Sequence, residues 1–265
     1  MTSFLDDLLR DAAARVEVAR AAVPLTQLRE RAAAVPTPPD AYAALAAPGV
    51  SVIAEVKRAS PSKGDLAPGI VAPEQARAYI DGGAAVISVL TEPDRFKGSL
   101  GDLADVAALG TPCLRKDFTV DEYQIWEARL AGASAVLLIV AALDDDRLAA
   151  LHGEATTAGL TVLVEVHDEA ELERAVAVDA RVIGVNARDL RTFDVDRDAF
   201  ARLRPSIPSG ALAVAESGIR GPDDVRVAAS QGADAVLVGE SLVTASDPLA
   251  ATAALVAAGL EPRAH

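Results

Sequence analysis

Gly132-Ala-Ser-Ala-Val-Leu-Leu-Ile-Val140 reads as the end of a helix passing directly into a buried strand. Glycine closes helices readily, because its backbone reaches conformations that other residues avoid. The apolar run behind it is built like a strand. The same junction occurs as Gly82-Gly-Ala-Ala-Val86 and Gly232-Ala-Asp-Ala-Val236, 50 residues before and 100 residues after. A repeating βα unit of about 25 residues fits those offsets and places the copies at strands 2, 4 and 8.

Eight such apolar runs follow one another, at 50–56, 84–90, 112–116, 133–140, 160–166, 180–186, 211–216 and 233–238. Between them lie Ala- and charge-rich stretches of helical length, among them 73–81, 120–131, 144–158 and 222–231. Strand then helix, repeated, means parallel strands joined by crossover helices. Eight units closing on themselves predict a single (β/α)8 TIM barrel, α/β in class, over residues 1–265. The alternative is a doubly wound open sheet, whose Gly-x-Gly-x-x-Gly after an early strand is absent. Residues 1–49 form an N-terminal helical extension. Its helix spans 3–33, capped by Ser3, striped by Leu5, Leu8, Leu9, Ala12 and Val16, and divided at Pro24.

Hydrophobic residues make up 51% of the chain and aromatics 3%, so the core is built from Ala, Val, Leu and Ile. A net charge of −14 argues against a nucleic-acid or anionic-membrane surface, though not against a small anion held by local cations. No apolar stretch reaches the roughly 20 residues of a membrane span. The acidic start and the single Cys113 predict a cytoplasmic protein without disulfides. His152, His167 and His265 show no ligand spacing, so no metal site is expected. Lys57, Lys63, Lys97 and Lys116 are the lysines of a chain whose other basic residues are arginine. An ammonium can give up a proton where a guanidinium cannot, so lysine in an arginine-rich chain fits positions that need a transferable proton, with chance clustering of four residues as the alternative.

In a barrel, the C-terminal ends of the strands carry the chemistry. Those ends hold Glu55 and Lys57, then Lys116, Glu165, Asn186 with Arg188, and Glu216. Glu55 and Lys57 are two residues apart and share a face, where burial is costly unless the charges are paired or reactive. After strand 7 comes Glu216-Ser-Gly-Ile219, and after strand 8 Val238-Gly-Glu-Ser-Leu242. Small residues there free backbone N–H groups to face an anion, the usual place for phosphate in this architecture.

The ordered set is specific. It comprises Ile-Ala-Glu55-Val-Lys57-Arg-Ala-Ser60-Pro-Ser-Lys-Gly64, Ser-Val-Leu-Thr91-Glu-Pro-Asp-Arg-Phe96-Lys-Gly98-Ser99, Leu-Arg-Lys116-Asp-Phe118, Leu137-Leu-Ile-Val140, Val-Glu165-Val-His, Gly-Val-Asn186-Ala-Arg188-Asp-Leu190, Glu216-Ser217-Gly218-Ile219 and Val-Gly239-Glu240-Ser-Leu242. Together these closely resemble indole-3-glycerol phosphate synthase over residues 50–243. The resemblance implies a cofactor-free, metal-free enzyme of tryptophan biosynthesis with no obligatory protein partner. It converts 1-(2-carboxyphenylamino)-1-deoxyribulose 5-phosphate into indole-3-glycerol phosphate, carbon dioxide and water.

By the same resemblance Lys116 protonates the ketone oxygen during ring closure, and Glu165 is the main base or acid of the later steps, assisted by Glu55 and Lys57. Which of Lys57 and Lys116 protonates the leaving hydroxyl stays open. Asn186, Arg188, Glu216 and Ser60 orient the sugar hydroxyls and the lysines. Phe96, Phe118 and Leu137 sandwich the anthranilate ring, and Ser217, Gly218, Gly239 and Glu240 hold phosphate, with the Glu240 side chain turned away from it. Loops 60–64 and 96–99 and the extension are expected over the barrel mouth. Phosphoribosylanthranilate isomerase, a similar barrel, relies on a Cys after strand 1 and an Asp after strand 6; here Glu55/Lys57 and Asn186 stand there instead.

Overall fold

A computed structural model describes residues 4–61, 63–189 and 192–261 of the chain, so Ser3, Ser62, Leu190 and His265 lie outside the described residues. Eight parallel strands close into a barrel: β1 (Ser51–Val56), β2 (Val86–Leu90), β3 (Cys113–Lys116), β4 (Ala135–Ile139), β5 (Thr161–Val166), β6 (Val182–Asn186), β7 (Leu212–Glu216) and β8 (Ala235–Val238). Each strand pairs with its sequence neighbours, and β8 returns to β1 with Ser51 opposite Ala235. The eight runs expected from the sequence are these strands, trimmed by one or two residues at their ends.

Alternation along each strand sorts two cores. Val52, Ala54, Ile87, Val89, Val136, Leu138, Val164, Ile183 and Ala213 point outward and pack under the helices. Ile53, Val86, Leu114, Leu137, Leu163, Val182, Val214 and Ala235 point inward and fill the barrel. With both faces buried, the strands read as continuous apolar runs rather than as alternating ones. The interior is apolar towards the strand starts, and the charged residues are left at the strand ends.

The extension forms α1 (Phe4–Ala22) and α2 (Leu25–Ala34), broken at Pro24 as expected, and then a short α3 (Ala41–Leu45). Leu5, Leu8, Ala12 and Val16 are buried. Helix α3 lies at the opposite end of the barrel, where Ser51 Oγ donates to Ala44 O at 3.2 Å and Arg181 stacks over Tyr42. On the outer ring stand α4 (Ala72–Asp81), α5 (Leu100–Ala107), α6 (Glu122–Leu130), α7 (Asp145–Thr157), α8 (Glu169–Ala177), α9 (Ala199–Leu203), α10 (Pro222–Ser230), α11 (Glu240–Val243) and α12 (Pro248–Gly259). Part of the acidic excess caps these helices: Asp121, Asp144, Asp168 and Asp247 each accept a first-turn N–H. No helix of the described residues is long and apolar enough to cross a membrane.

The glycine junctions differ in one respect from expectation. Gly132 and Gly232 adopt the left-handed conformation past their helix ends (φ 88° and 91°), but in the first copy that position belongs to Gly83 (φ 92°). Gly82 is kept for closeness instead: a Cβ there would meet Thr252 Cβ at 2.7 Å and Leu249 O at 2.8 Å, so α12 packs directly on it.

Candidate active site

The strand ends open into one cavity of about 540 Å³, ample for a sugar phosphate carrying one aromatic ring. All fifteen site residues named from the sequence line it, from Glu55, Lys57 and Ser60 round to Gly239 and Glu240. Phe4 and Leu8 of α1 line it too, so the extension reaches the mouth.

At its floor lie five charged side chains. Lys57 Nζ donates to Glu55 Oε1 at 2.7 Å. Lys116 Nζ stands 3.4 Å from Glu165 Oε2 and 3.8 Å from Glu216 Oε2. Asn186 Nδ2 donates to Glu165 Oε1 at 3.0 Å, and Asn186 Oδ1 accepts from Ser217 Oγ at 2.7 Å and from the Arg188 N–H at 3.0 Å. The asparagine thus fixes the orientation of both its neighbours.

Three buried carboxylates face two ammonium groups, and a proton on one carboxylate balances the set. The surroundings favour Glu216 for that proton. Burial raises its pKa well above the usual value, and the adjacent Glu165 charge raises it further. Burial also works against the charge on Glu165, but Lys116, His167 and the Asn186 hydrogen bond outweigh it and the net shift is downward. Glu55 follows the same pattern, with Lys57 and then Lys116 outweighing burial. Burial disfavours the Lys116 ammonium, yet Glu165, Glu216 and Glu55 together hold it charged, with a raised pKa.

A raised folded-state pKa contributes stability below the unfolded-state value, and that contribution is lost as pH rises through the folded one. Replacing Glu216 by the neutral Gln removes the loss. Glu216→Gln is therefore expected to raise the Tm at pH 8 by a few degrees and to leave it nearly unchanged at pH 4. Thermal unfolding at the two pH values checks this; an equal change at both would count against a protonated Glu216.

Two glycines allow this closeness. A Cβ at Gly184, on β6 opposite Glu165, would lie 2.0 Å from Glu216 Oε1. A Cβ at Gly239 would lie 2.5 Å from Glu55 Oε1 and 2.9 Å from Lys57 Nζ. Beyond β7, Ser217 (φ 62°) and Gly218 (φ 79°) both adopt the left-handed conformation, and beyond β8 Gly239 opens α11. A non-glycine residue held there costs on the order of 1 kcal/mol, and such strain gathers at functional sites. The first N–H groups of a helix have no partner within it, so this turn and α11 face the cavity with donors that suit a phosphate.

On the opposite wall the Phe96 and Phe118 rings lie 6.2 Å apart, with Leu137 among the lining residues. After β1, Ala59 pairs with Asp65 and Ser60 with Gly64 in a small hairpin. Its Lys63 pairs with the Glu240 carboxylate, which gives the side chain expected to turn from phosphate a partner in the loop. Arg58 ties the same loop to α5 through two hydrogen bonds to Asp102, at 2.7 and 2.8 Å. Buried Glu92 shapes the loop carrying Phe96 by accepting the N–H groups of Asp94, Arg95 and Phe96.

Sequence reasoning gave no role to several residues found here. Phe4 of α1 packs edge-on against Phe193 at 5.1 Å, roofing the cavity, and Val195, Arg197 and Arg220 complete the rim. A lone Phe near a chain start carries no local signal for this. His167, two residues beyond Glu165, had no expected role, yet its Nε2 lies 3.5 Å from Glu165 Oε1.

A closed (β/α)8 barrel with acid and base groups converging at its C-terminal mouth defines an enzyme of acid–base type. The family model for indole-3-glycerol phosphate synthase matches residues 5–255. The indole-3-glycerol phosphate synthase of Mycobacterium ulcerans (strain Agy99) is 55% identical over 261 residues, covering 98% of this chain and 96% of its own. That of Mycobacteroides abscessus is 54% identical over 263 residues, covering 99% and 95%. The chain belongs to the indole-3-glycerol phosphate synthase family, carboxy-lyases of tryptophan biosynthesis. Among solved structures, 3-hexulose-6-phosphate synthase from Salmonella typhimurium superposes with a TM-score of 0.63 at 16% identity, covering 80% of this chain and 99% of its own, a likeness of fold alone.

Proposed function

We propose that the five charged side chains at the cavity floor, with Asn186, carry out the family's reaction in a fixed division of labour. The reaction closes the indole ring of 1-(2-carboxyphenylamino)-1-deoxyribulose 5-phosphate with loss of carbon dioxide and water. The observation that carries the assignment is Lys116, set between Glu165 and Glu216 at 3.4 and 3.8 Å.

The ring carbon bearing the carboxylate attacks the ketone, and negative charge grows on the ketone oxygen. The Lys116 ammonium, kept charged by neighbouring carboxylates with Glu165 foremost, stabilises that oxygen and passes it a proton. The bond between that ring carbon and its carboxylate then breaks; carbon dioxide leaves, and the bonding pair stays in the ring and restores its aromaticity. Dehydration follows: the hydroxyl departs with a proton from an ammonium group, and a carboxylate takes the proton released on the ring-nitrogen side. Glu165, ionised and within reach of Lys116, is that carboxylate. The Glu55–Lys57 pair supports the dehydration, and protonated Glu216 orients the hydroxyls alongside Asn186, Arg188 and Ser60.

Phe96, Phe118 and Leu137 hold the anthranilate ring, while Ser217, Gly218, Gly239 and the Glu240 N–H hold phosphate. The substrate is a phosphorylated small molecule; no nucleic acid and no obligatory protein partner enter, and the enzyme works in the cytoplasm without cofactor or metal.

Glu165→Gln tests the division directly. It keeps the size and most hydrogen bonds but removes the base, so kcat should fall about 10²–10⁴-fold while KM stays within a few-fold. Steady-state kinetics on the carboxyphenylamino substrate reads both. A KM rise at unchanged kcat would reassign Glu165 to binding.

A further inference from the structure

We propose that His167 is a positioning residue: backed by Glu171, it holds Glu165 ionised and aimed at Lys116, so that the proton shared by the carboxylate pair rests on Glu216. This rests on the reading of Glu165 given above and extends it to a residue that does not line the cavity.

The geometry leaves the imidazole one arrangement. Glu171, in the first turn of α8, is fixed by the Asp168 cap, whose side chain accepts the Glu171 N–H at 2.9 Å. Its Oε2 in turn accepts the His167 backbone N–H at 2.8 Å and meets Nδ1 at 2.9 Å. A carboxylate only accepts, so Nδ1 carries a hydrogen. The other ring nitrogen, Nε2, is buried, has no hydrogen-bond partner, and stands 3.5 Å from Glu165 Oε1. A lone pair there would face a carboxylate oxygen; an N–H there would face it favourably. The groups that bear on the ring are Glu165 on β5, Glu171 on α8 and Asp189 in the loop after β6, all acidic. Burial alone would favour the neutral ring, but these charges and the Glu171 hydrogen bond outweigh it and raise the His167 pKa. Geometry and charge thus both favour the imidazolium, with both nitrogens protonated, over the neutral ring.

Glu165 then lies between two cations, Lys116 on one oxygen and His167 near the other, and also accepts from Asn186. Glu216 has one cation near it, Lys116 at 3.8 Å, beside its hydrogen bond with Glu165, and its Oε1 is without a partner. An opposite charge this close favours the ionised carboxylate, so the imidazolium sets which of the two glutamates keeps the proton. The arrangement is a carboxylate–imidazole–carboxylate line in which only the inner carboxylate reaches the substrate.

Three measurements test it. Nitrogen-15 NMR of the imidazole in the unaltered chain should show both nitrogens protonated at pH 7, and Glu165→Gln should lower the pH at which the ring titrates; a neutral ring at pH 7, or a midpoint indifferent to Glu165, overturns the proposal. In His167→Asn, the ratio of kcat/KM at pH 5.5 to that at pH 8 should fall about tenfold relative to the unaltered chain, with KM nearly constant. His167→Lys, which restores a cation without the ring, should recover most of that ratio. An unchanged pH profile in His167→Asn, or equal defects in the Asn and Lys variants, overturns the proposal. If Glu165→Gln kept full activity while the His167 midpoint still moved, the electrostatic link would stand and the catalytic reading of Glu165 would be the one to fail.

Discussion

Lys116→Met is expected to lower kcat about a thousandfold, with KM changed far less, because methionine fills the space but neither stabilises a growing oxyanion nor donates a proton. The loss has a second origin. Lys116 is the cation that Glu165 and Glu216 share. Without it Glu165 too favours its protonated form, and the base for dehydration disappears with the acid for ring closure. The same logic gives a stability signature: the Met variant should lose more Tm at pH 8 than at pH 5, since a proton relieves Glu165 only at the lower pH. Lys116→Arg separates charge from proton transfer. It should remain strongly impaired, because a guanidinium keeps its proton and its planar fork does not fit the same gap. Activity within tenfold of the unaltered chain in the Met variant would remove Lys116 from the chemistry.

Gly184→Ala is expected to cost about a hundredfold in kcat with little change in Tm. The added methyl would stand 2.0 Å from Glu216 Oε1 and 3.1 Å from Leu163 Cδ1. The closer clash is with the free end of a side chain, so the barrel tolerates it by swinging the carboxylate aside. That movement takes Glu216 from Glu165 and Lys116, and a displacement of about 1 Å in such a cluster is worth about 10² in rate. Kinetics and thermal unfolding on the same sample distinguish this from a folding defect. A variant that loses stability and activity in proportion would mean that Gly184 serves the barrel, not the site.

The sequence exposed the strands for a physical reason. Each is buried on both faces, so 133–140 or 180–186 stands out as an unbroken apolar run, and the charge that interrupts it marks the mouth of the barrel. Glu55, Lys116, Glu165 and Glu216 were legible for that reason: one charged strand end is ordinary, but several in order converge on one mouth. What was hidden depends on distances that ring closure sets. Glu216 keeps its proton because β5, β6 and β7 bring it beside Glu165 over a glycine. Gly239 was read as a phosphate turn, but its closeness to Glu55 and Lys57 exists only because β8 pairs with β1. Gly82 and Gly83 look interchangeable as letters; the packing of α12 separates their duties. Phe4 and Phe193 meet across the mouth from distant parts of the chain, and His167 gains its meaning from Glu171 one helical turn on and from the side of Glu165 it faces.

This cavity performs ring closure, decarboxylation and dehydration on one bound substrate. The most direct measurement mixes the purified chain with 1-(2-carboxyphenylamino)-1-deoxyribulose 5-phosphate, without added metal or cofactor, and follows indole fluorescence together with released carbon dioxide. Both signals should appear in equal amounts and at the same rate. Binding of the substrate by folded protein, with neither signal appearing, would contradict it.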